Sequence, residues 1–112
     1  MTIPELTQAL MDTATDLRQA NADLYTLSMD YVRAEDMYRN AKANAYLVAE
    51  GTINERNAKV DKVCAGERLK AHLAEAEMNA KKELVKSLLA QLSALQTIGA
   101  LTRAEMQLAG HE

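Results

Sequence analysis

The stretch AYLVAEGTINERNAKV (Ala45–Val60) interrupts a sequence that otherwise consists almost entirely of good helix formers. Gly51 suits the position just after a helix C-terminus, because a glycine takes a positive φ at little cost. Thr52 follows at once and opens the tetrapeptide TINE, whose spacing is that of a capping box at the start of a helix. A helix-ending glycine beside an N-cap threonine leaves almost no loop. The stretch therefore predicts a tight turn, at residues 50–52, between two antiparallel helices.

Upstream of this turn, the sequence predicts one long helix over about residues 5–49. Thr2 is suited to the N-cap, Pro4 to the first turn and Glu5 to the third position after the cap. Apolar and small residues then recur every seven residues, over six heptads, in two sets that lie three residues apart. The sets are Leu10, Leu17, Leu24, Tyr31, Tyr38 and Ala45, and Thr13, Ala20, Leu27, Ala34, Ala41 and Val48. This spacing is typical of a coiled-coil seam.

Downstream of the turn, a second helix is predicted over about residues 53–108. Gly66 indicates either a bend in this helix or a close approach to small residues of the first helix. The face that packs on the first helix is predicted to consist of Val60, Val63, Leu69, Leu73, Ala76 and Ala80. The predicted fold is thus all-α, a single domain over residues 1–112 built as a long antiparallel, coiled-coil-like helical hairpin.

Beyond residue 84 the apolar residues cover a wider face than one neighbouring helix can bury. They are Leu84, Val85, Leu88, Leu89, Leu92, Leu95, Ile98 and Leu101. Because a two-helix rod has no enclosed core, self-association is the natural way to cover this face. We expect the interface of a homo-oligomer to consist of Leu88, Leu89, Leu92 and Leu95. The alternative is a short third helix at the N-terminus, with a break near residues 21–23, that folds back over these leucines.

The composition favours a cytoplasmic protein. The N-terminal sequence MTIPELTQAL has neither the basic nor the apolar region of a signal peptide. No run approaches the roughly 18 apolar residues of a membrane span, and the one cysteine excludes an intramolecular disulfide. We therefore expect no contact with a membrane.

No set of residues has the spacing of a catalytic or metal site. His72 stands alone in the second helix, His111 lies near the C-terminus, and Cys64 has no histidine at helical spacing. The sequence also lacks a glycine-rich phosphate loop. We therefore expect a protein that is not an enzyme and that holds no cofactor and no metal.

Charge is spread unevenly along the chain. Residues 1–38 carry seven acidic and two basic side chains, whereas residues 39–86 carry seven acidic and ten basic ones. An antiparallel hairpin would bring the basic residues on either side of the turn together, and such a patch attracts phosphates. The predicted patch consists of Arg39, Lys42, Arg56, Lys59 and Lys62. The alternative is an ordinary solvated helix face.

Two of the four tyrosines lie near this patch. Tyr38 falls in the seam, where packing is the better interpretation of its ring. Tyr46 lies off the seam and is the better candidate for stacking on a nucleobase.

The stretch YVRAEDMYRNAKANAYLVAEGTINERNAKV (Tyr31–Val60) and the second-helix end LLAQLSALQTIGALTRAEMQ (Leu88–Gln107) resemble small helical proteins encoded among tailed-phage recombination genes. Their layout is similar to that of UvsY-type recombination mediators. It has a long helix with paired aromatics, a short glycine turn and a long Ala/Leu-rich second helix. The resemblance covers about residues 24–108.

The resemblance implies an activity. UvsY-type mediators form rings of helical subunits, bind single-stranded DNA and help a RecA-like recombinase displace single-strand-binding protein. Their DNA contact uses a Lys-x-Arg pair late in the first long helix. Here the corresponding residues are Lys42, Ala43 and Asn44, so the second basic residue is absent, and Arg39 one turn earlier is the expected substitute.

The sequence thus supports a phage recombination mediator or accessory protein in the host-cell cytoplasm. It would bind single-stranded DNA as a homo-oligomer and assist recombinase or annealase loading, with a recombinase or single-strand-binding protein as a possible partner. One alternative is a small phage protein that inhibits a host defence protein through a helical or acidic surface. Acidic residues for such a surface are Asp12, Asp16, Asp23, Asp30, Glu35 and Asp36. A third interpretation is that the protein is a purely structural coiled-coil hairpin.

Overall fold

A computed structural model describes residues 1–110, and within that range the chain is all α-helical and has no strand. The helices are α1 (Ile3–Val48), α2 (Ile53–Val63) and α3 (Ala65–Gly110). The predicted all-α antiparallel helical hairpin is confirmed, with the reversal between α1 and α2. His111 lies outside the described residues.

The capping residues predicted from the sequence start both arms of the hairpin. At the N-terminus, the Glu5 backbone N–H donates to the Thr2 hydroxyl at 3.3 Å, and the Thr2 N–H donates to the Glu5 carboxylate at 3.4 Å. Thr52 caps α2 in the same way, with its hydroxyl accepting from the Glu55 N–H at 3.3 Å. Such caps satisfy N–H groups that have no partner within the helix.

Gly51 makes the reversal possible. Its φ is +114°, the only positive φ among the described residues. A Cβ at this position would also collide with the side chain of Glu55, whose Cβ lies 3.2 Å from it. Residue 51 therefore favours glycine mainly because of its backbone conformation, and a Cβ there would in addition require the Glu55 side chain to shift.

The predicted second helix is divided into α2 and α3 at Cys64, where φ is −95° and ψ is 9°. Helical hydrogen bonding continues on both sides, since the Cys64 N–H donates to the Val60 carbonyl and the Arg68 N–H donates to the Cys64 carbonyl. The irregularity thus lies two residues before Gly66, which is itself helical. A Cβ on Gly66 would meet nothing within 4 Å, so the predicted close approach at this glycine is wrong.

The described chain divides into two compact units. The terminal unit comprises Met1–Asp23 of α1 and the part of α3 from Lys81 onward. The turn unit is Leu24–Ala80, which holds the rest of α1, the reversal, α2 and the start of α3.

In the terminal unit, α1 buries Leu6, Thr13 and Ala20, and α3 buries Leu88 and Leu95. Two polar contacts also join α1 to α3. The Gln91 amide donates to the hydroxyl of Thr13 at 3.1 Å, and the Lys81 ammonium lies 3.4 Å from the Asp23 carboxylate. Polar pairs at or beside a seam favour one register over the others, because any slip leaves them unmatched.

The oligomer interface predicted at Leu88, Leu89, Leu92 and Leu95 has to be corrected. Leu88 and Leu95 are buried within the chain and Leu92 is half-buried, which leaves Leu89 as the exposed member of the set. The alternative of a short third helix is also wrong, because α1 runs without a break through residues 21–23. The start of the continuous α1 covers the leucines.

In the turn unit, the α1 seam agrees with the heptad prediction. Its predicted positions from Leu24 to Ala45 are all half-buried, and Val48, the last residue of α1, is exposed. On the facing helices, only Val60 of the predicted residues is buried, whereas Val63, Leu69 and Leu73 are exposed. The observed seam is Val60, Cys64, Glu67, Ala71, Ala74 and Met78.

This correction has a packing reason. Tyr31 and Tyr38 supply two large rings to the α1 seam, and the α3 seam includes the small residues Ala71 and Ala74, as expected where large and small side chains share one interface. The sequence prediction followed the larger aliphatic residues instead, and these lie on the outer surface of α2 and α3.

One window of 18 residues in α3 has a mean hydropathy of 1.3 and at most two charged residues, and 11% of that window is buried. The expectation that no segment approaches a membrane span therefore does not hold by length and composition. The core helix of a soluble protein meets the same two criteria when it is mostly buried, whereas most of this window is not buried.

Replacing Gly51 with alanine should lower the free energy of unfolding by about 1 kcal/mol or more, because the added Cβ meets Glu55 and has to adopt a positive φ. Gly66→Ala is the matched control. Residue 66 is helical with open space around it, so alanine should raise that free energy by about 0.5–1 kcal/mol. Urea unfolding followed by circular dichroism measures both changes. Equal effects at the two positions would contradict the role given to residue 51.

Candidate nucleic-acid interface

The five basic residues predicted to form a patch all lie in the turn unit. Arg39 and Lys42 are in the last three turns of α1, whereas Arg56, Lys59 and Lys62 are in α2. The structure gives these five side chains different roles.

Arg56 and Lys59 hold the reversal closed. The Arg56 guanidinium donates to the backbone carbonyl of Tyr46 at 2.9 Å, and the Lys59 ammonium donates to the carbonyl of Glu50 at 2.7 Å. The last turn of α1 has no basic residue of its own. Because a helix C-terminus carries unpaired carbonyls and a partial negative charge, α2 supplies the cations that α1 lacks.

Arg56 also fixes the ring of Tyr46. Its guanidinium carbon lies 4.3 Å from the centroid of that ring, at the distance of a cation–π contact. The Arg56 Nε is buried, and it has no hydrogen-bond partner among the described residues. Arg56 is therefore a structural residue behind Tyr46, rather than the freely exposed cation that the sequence predicted.

Arg39, Lys42, Lys59 and Lys62 are all exposed, but Lys59 is bound to a carbonyl of the turn, which leaves Arg39, Lys42 and Lys62 for other partners. Arg39 Nε lies 3.2 Å from the carboxylate of Glu35, one turn earlier on the same helix. The Lys42 ammonium lies 5.9 Å from the centroid of the Tyr38 ring. An exposed i,i+4 ion pair is worth only about 0.3–0.5 kcal/mol, so a phosphate can compete for Arg39.

An open cavity of about 530 Å³ lies beside the turn. Its lining residues are Arg39, Lys42, Ala43, Tyr46, Leu47 and Asn57. Its chemistry is mixed, with the apolar groups of Tyr46, Leu47 and Ala43 next to two cations and one amide. A planar apolar group that carries a negative charge matches this combination, and the volume is in the usual range for ligand sites.

The structure thus brings together part of the predicted patch. Arg39 and Lys42 line one cavity, with Arg56 behind the Tyr46 ring. Lys59 is directed to the turn, and Lys62 is not among the cavity residues. Leu47 and Asn57 were not predicted, because a sequence pattern of charges says nothing about which uncharged neighbours complete a cavity.

A second feature lies one turn along α1. The negative charge of Glu75, near the phenol of Tyr31, raises the pKa of this phenol above its usual value. Desolvation and the charge of Glu35 act in the same direction, whereas Arg39 lowers the pKa. Tyr31, Glu35 and Arg39 also line a smaller cavity next to the first one.

Within residues 1–110 there is no group of three or more His, Cys, Asp or Glu side chains that could hold a metal ion. Cys64 is buried and His72 is exposed.

Glu75→Gln should lower the pKa of the Tyr31 phenol toward its usual value, because it removes the largest cause of the upward shift. The pKa can be followed by NMR titration of chains with ¹³C-labelled tyrosine. Glu77→Gln, two residues further along α3, is the control and should leave the pKa of Tyr31 unchanged. If Glu75→Gln also leaves this pKa unchanged, Tyr31 and Glu75 do not form the contact that joins α1 to α3.

Comparisons with known proteins do not assign this cavity to a known kind of site. No protein-family model, no curated protein and no solved structure matches the chain. The resemblance to UvsY-type mediators therefore stays a prediction from the sequence, and the cavity beside the turn has to be interpreted from its own residues.

Proposed function

We propose that the protein is a non-enzymatic accessory protein of phage recombination that binds single-stranded DNA at the cavity beside the turn. In this role it acts as a mediator that assists the loading of a recombinase or annealase in the host-cell cytoplasm. The observation that carries the proposal is the cavity itself, where an aromatic ring and an aliphatic wall adjoin Arg39 and Lys42.

Single-stranded DNA offers the two groups that such a cavity accepts. A nucleobase presents a flat apolar face, and stacking of a base on an aromatic side chain contributes about 1–3 kcal/mol. Tyr46 is held by Arg56, so its ring is already ordered before a base arrives. This preorganisation lowers the entropy cost of binding.

The phosphates next to the base would be bound by Lys42 and Arg39. Both side chains are exposed, and the ion pair of Arg39 with Glu35 is a surface pair that exchanges at small cost. Because we expect both cations to bind phosphates rather than base edges, we expect binding without sequence preference.

Binding at one cavity with two cations would be weak, and self-association would strengthen it. Each copy in a homo-oligomer repeats the cavity, so one strand can contact several copies at once. The mediator function further implies contact with a recombinase or a single-strand-binding protein.

The alternative is an inhibitor of a host protein that docks through acidic residues of α1. In the structure many of these carboxylates already accept a hydrogen bond or a cation. Asp12 accepts from Gln8 at 2.8 Å, and Asp23 accepts from Gln19 at 2.9 Å and pairs with Lys81. The Gln8 and Gln19 amides leave the carboxylate charges unchanged, and only Lys81 offsets one of them, so the acidic surface stays available and the inhibitor remains the alternative.

The double change Arg39→Ala and Lys42→Ala should weaken binding of a fluorescein-labelled oligothymidylate and reduce its salt dependence. If each cation neutralises one phosphate, the slope of log K against log salt should fall by about 1.4 in magnitude. Fluorescence anisotropy at several salt concentrations measures the slope. Lys59 is left unchanged, because its ammonium holds the turn.

Lys82→Ala with Lys86→Ala removes the same charge from the terminal unit and is the matched control. It should leave the slope nearly unchanged. No binding of wild type at low salt, or an equal loss in both double variants, would contradict a DNA site at this cavity and favour the inhibitor alternative.

A further inference from the structure

One side of α3 in the terminal unit is left uncovered by α1. Leu84, Ile98 and Leu101 are 43%, 39% and 61% exposed, although they lie in an otherwise apolar part of the helix. Together with the residues between them they form what we call the outer stripe. The outer stripe consists of Leu84, Ser87, Gln91, Ala94, Ile98 and Leu101.

The outer stripe has the spacing of a coiled-coil seam. Its residues follow one another at steps of three, four, three, four and three. The seam that α3 forms with α1 has the same alternation, through Lys81, Val85, Leu88, Leu92, Leu95 and Gly99. Alternating steps of three and four keep one face of a helix directed at a neighbouring helix over several turns. The outer stripe therefore suits a further helix as its partner.

The side chains of the outer stripe complement those of the same stripe read in reverse. With two copies antiparallel, Leu84 lies opposite Leu101, Ser87 opposite Ile98, and Gln91 opposite Ala94. In four of the six layers a small residue thus meets a larger one, which allows the helices to approach closely without overlap. An antiparallel two-fold arrangement of this kind uses each pair twice, as an isologous interface requires.

We propose that the outer stripe is the docking site for a second copy of this chain, antiparallel to the first. This assignment replaces the interface that the sequence predicted at Leu88, Leu92 and Leu95, since those residues pack within the chain. It does not depend on DNA binding, although a dimer would repeat the cavity beside the turn.

Gln91 is the one long polar residue of the outer stripe, and its amide already has a hydrogen-bond partner within its own chain. Its amide donates to the buried hydroxyl of Thr13 at 3.1 Å. The polar end is therefore satisfied within its own chain, and the methylene groups remain for contact with Ala94 of the second copy.

A protein partner is favoured over a lipid surface by the same residues. Ser87 lies within the stripe, where a hydrocarbon environment offers its hydroxyl no hydrogen-bond partner, whereas the Gln91 amide is already bonded to Thr13 and does not distinguish the two environments. Against a helix, small polar residues cost little packing, because they lie opposite larger aliphatic side chains.

The six layers extend over about 26 Å of helix, which is less than a standard protein interface needs. We therefore expect a dimer that forms at micromolar concentration rather than an obligate one. Sedimentation velocity over a range of concentrations should show wild type passing from the 12.3 kDa monomer to a species of twice that mass.

The double change Leu84→Glu and Ile98→Glu should abolish this association and leave the helicity of the monomer unchanged, with at most a small decrease in its unfolding temperature, because both side chains are only partly covered within the chain. Leu89→Glu is the matched control. Leu89 lies on the same helix with 50% exposure but outside the outer stripe, so this variant should dimerise like wild type. Loss of the dimer in the control as well, or a wild type that stays monomeric at high micromolar concentration, would overturn the proposal.

Cysteine cross-linking tests the orientation independently of any loss of stability. Ser87→Cys and Ile98→Cys are made in separate chains, with the native Cys64 buried in both. Positions 87 and 98 are about 16 Å apart along one helix, too far for a disulfide to join like residues of antiparallel copies. A disulfide dimer is therefore expected from the mixture alone, whereas cross-linking of either variant by itself would contradict the antiparallel arrangement.

Vesicles of phosphatidylcholine with phosphatidylglycerol test the lipid alternative. Wild type should remain in the supernatant after the vesicles are sedimented. Binding that Leu84→Glu with Ile98→Glu abolishes would assign the outer stripe to a membrane surface and overturn the dimer proposal.

Discussion

The reversal at Gly51 is the constraint on which the rest of the structure depends. A positive φ brings the chain back on itself within four residues, and two cations of α2 then bind carbonyls that the end of α1 leaves free. Without the reversal, the seam of α1 would have no partner in its own chain. The same contacts place Arg56 behind Tyr46, so a residue that closes the turn also supports the ring that forms one wall of the cavity.

Much of the fold could be predicted because its determinants are local or periodic. The cap at Thr52, the glycine at residue 51 and the heptads of α1 are each visible in a short window of sequence. The facing seam could not be found in this way, because small residues such as Ala71 and Ala74 carry no strong apolar signal although they lie in the seam. Leu88 and Leu95 show the same limit, since periodicity identifies an apolar face but not which helix covers it.

The candidate site was predictable in its charges but not in its geometry. Arg39 and Lys42 could be found from sequence, because basic residues near a predicted turn must come close together. The structural role of Arg56 depends on its contacts with the backbone carbonyl and the ring of Tyr46, ten residues earlier. Such contacts cannot be predicted from the distribution of charges along the sequence. One signal was available, since a helix whose last turn lacks a cation has to obtain one from elsewhere.

The buried Cys64 at the junction of α2 and α3 makes local opening of the structure measurable by thiol alkylation. A thiol that solvent does not reach reacts with an alkylating reagent only when its surroundings open. Because this is the one cysteine of the chain and lies in the turn unit, its rate of alkylation reports on openings that expose the junction of α2 and α3. The rate of local opening can thus be measured in the unmutated protein, without an introduced label.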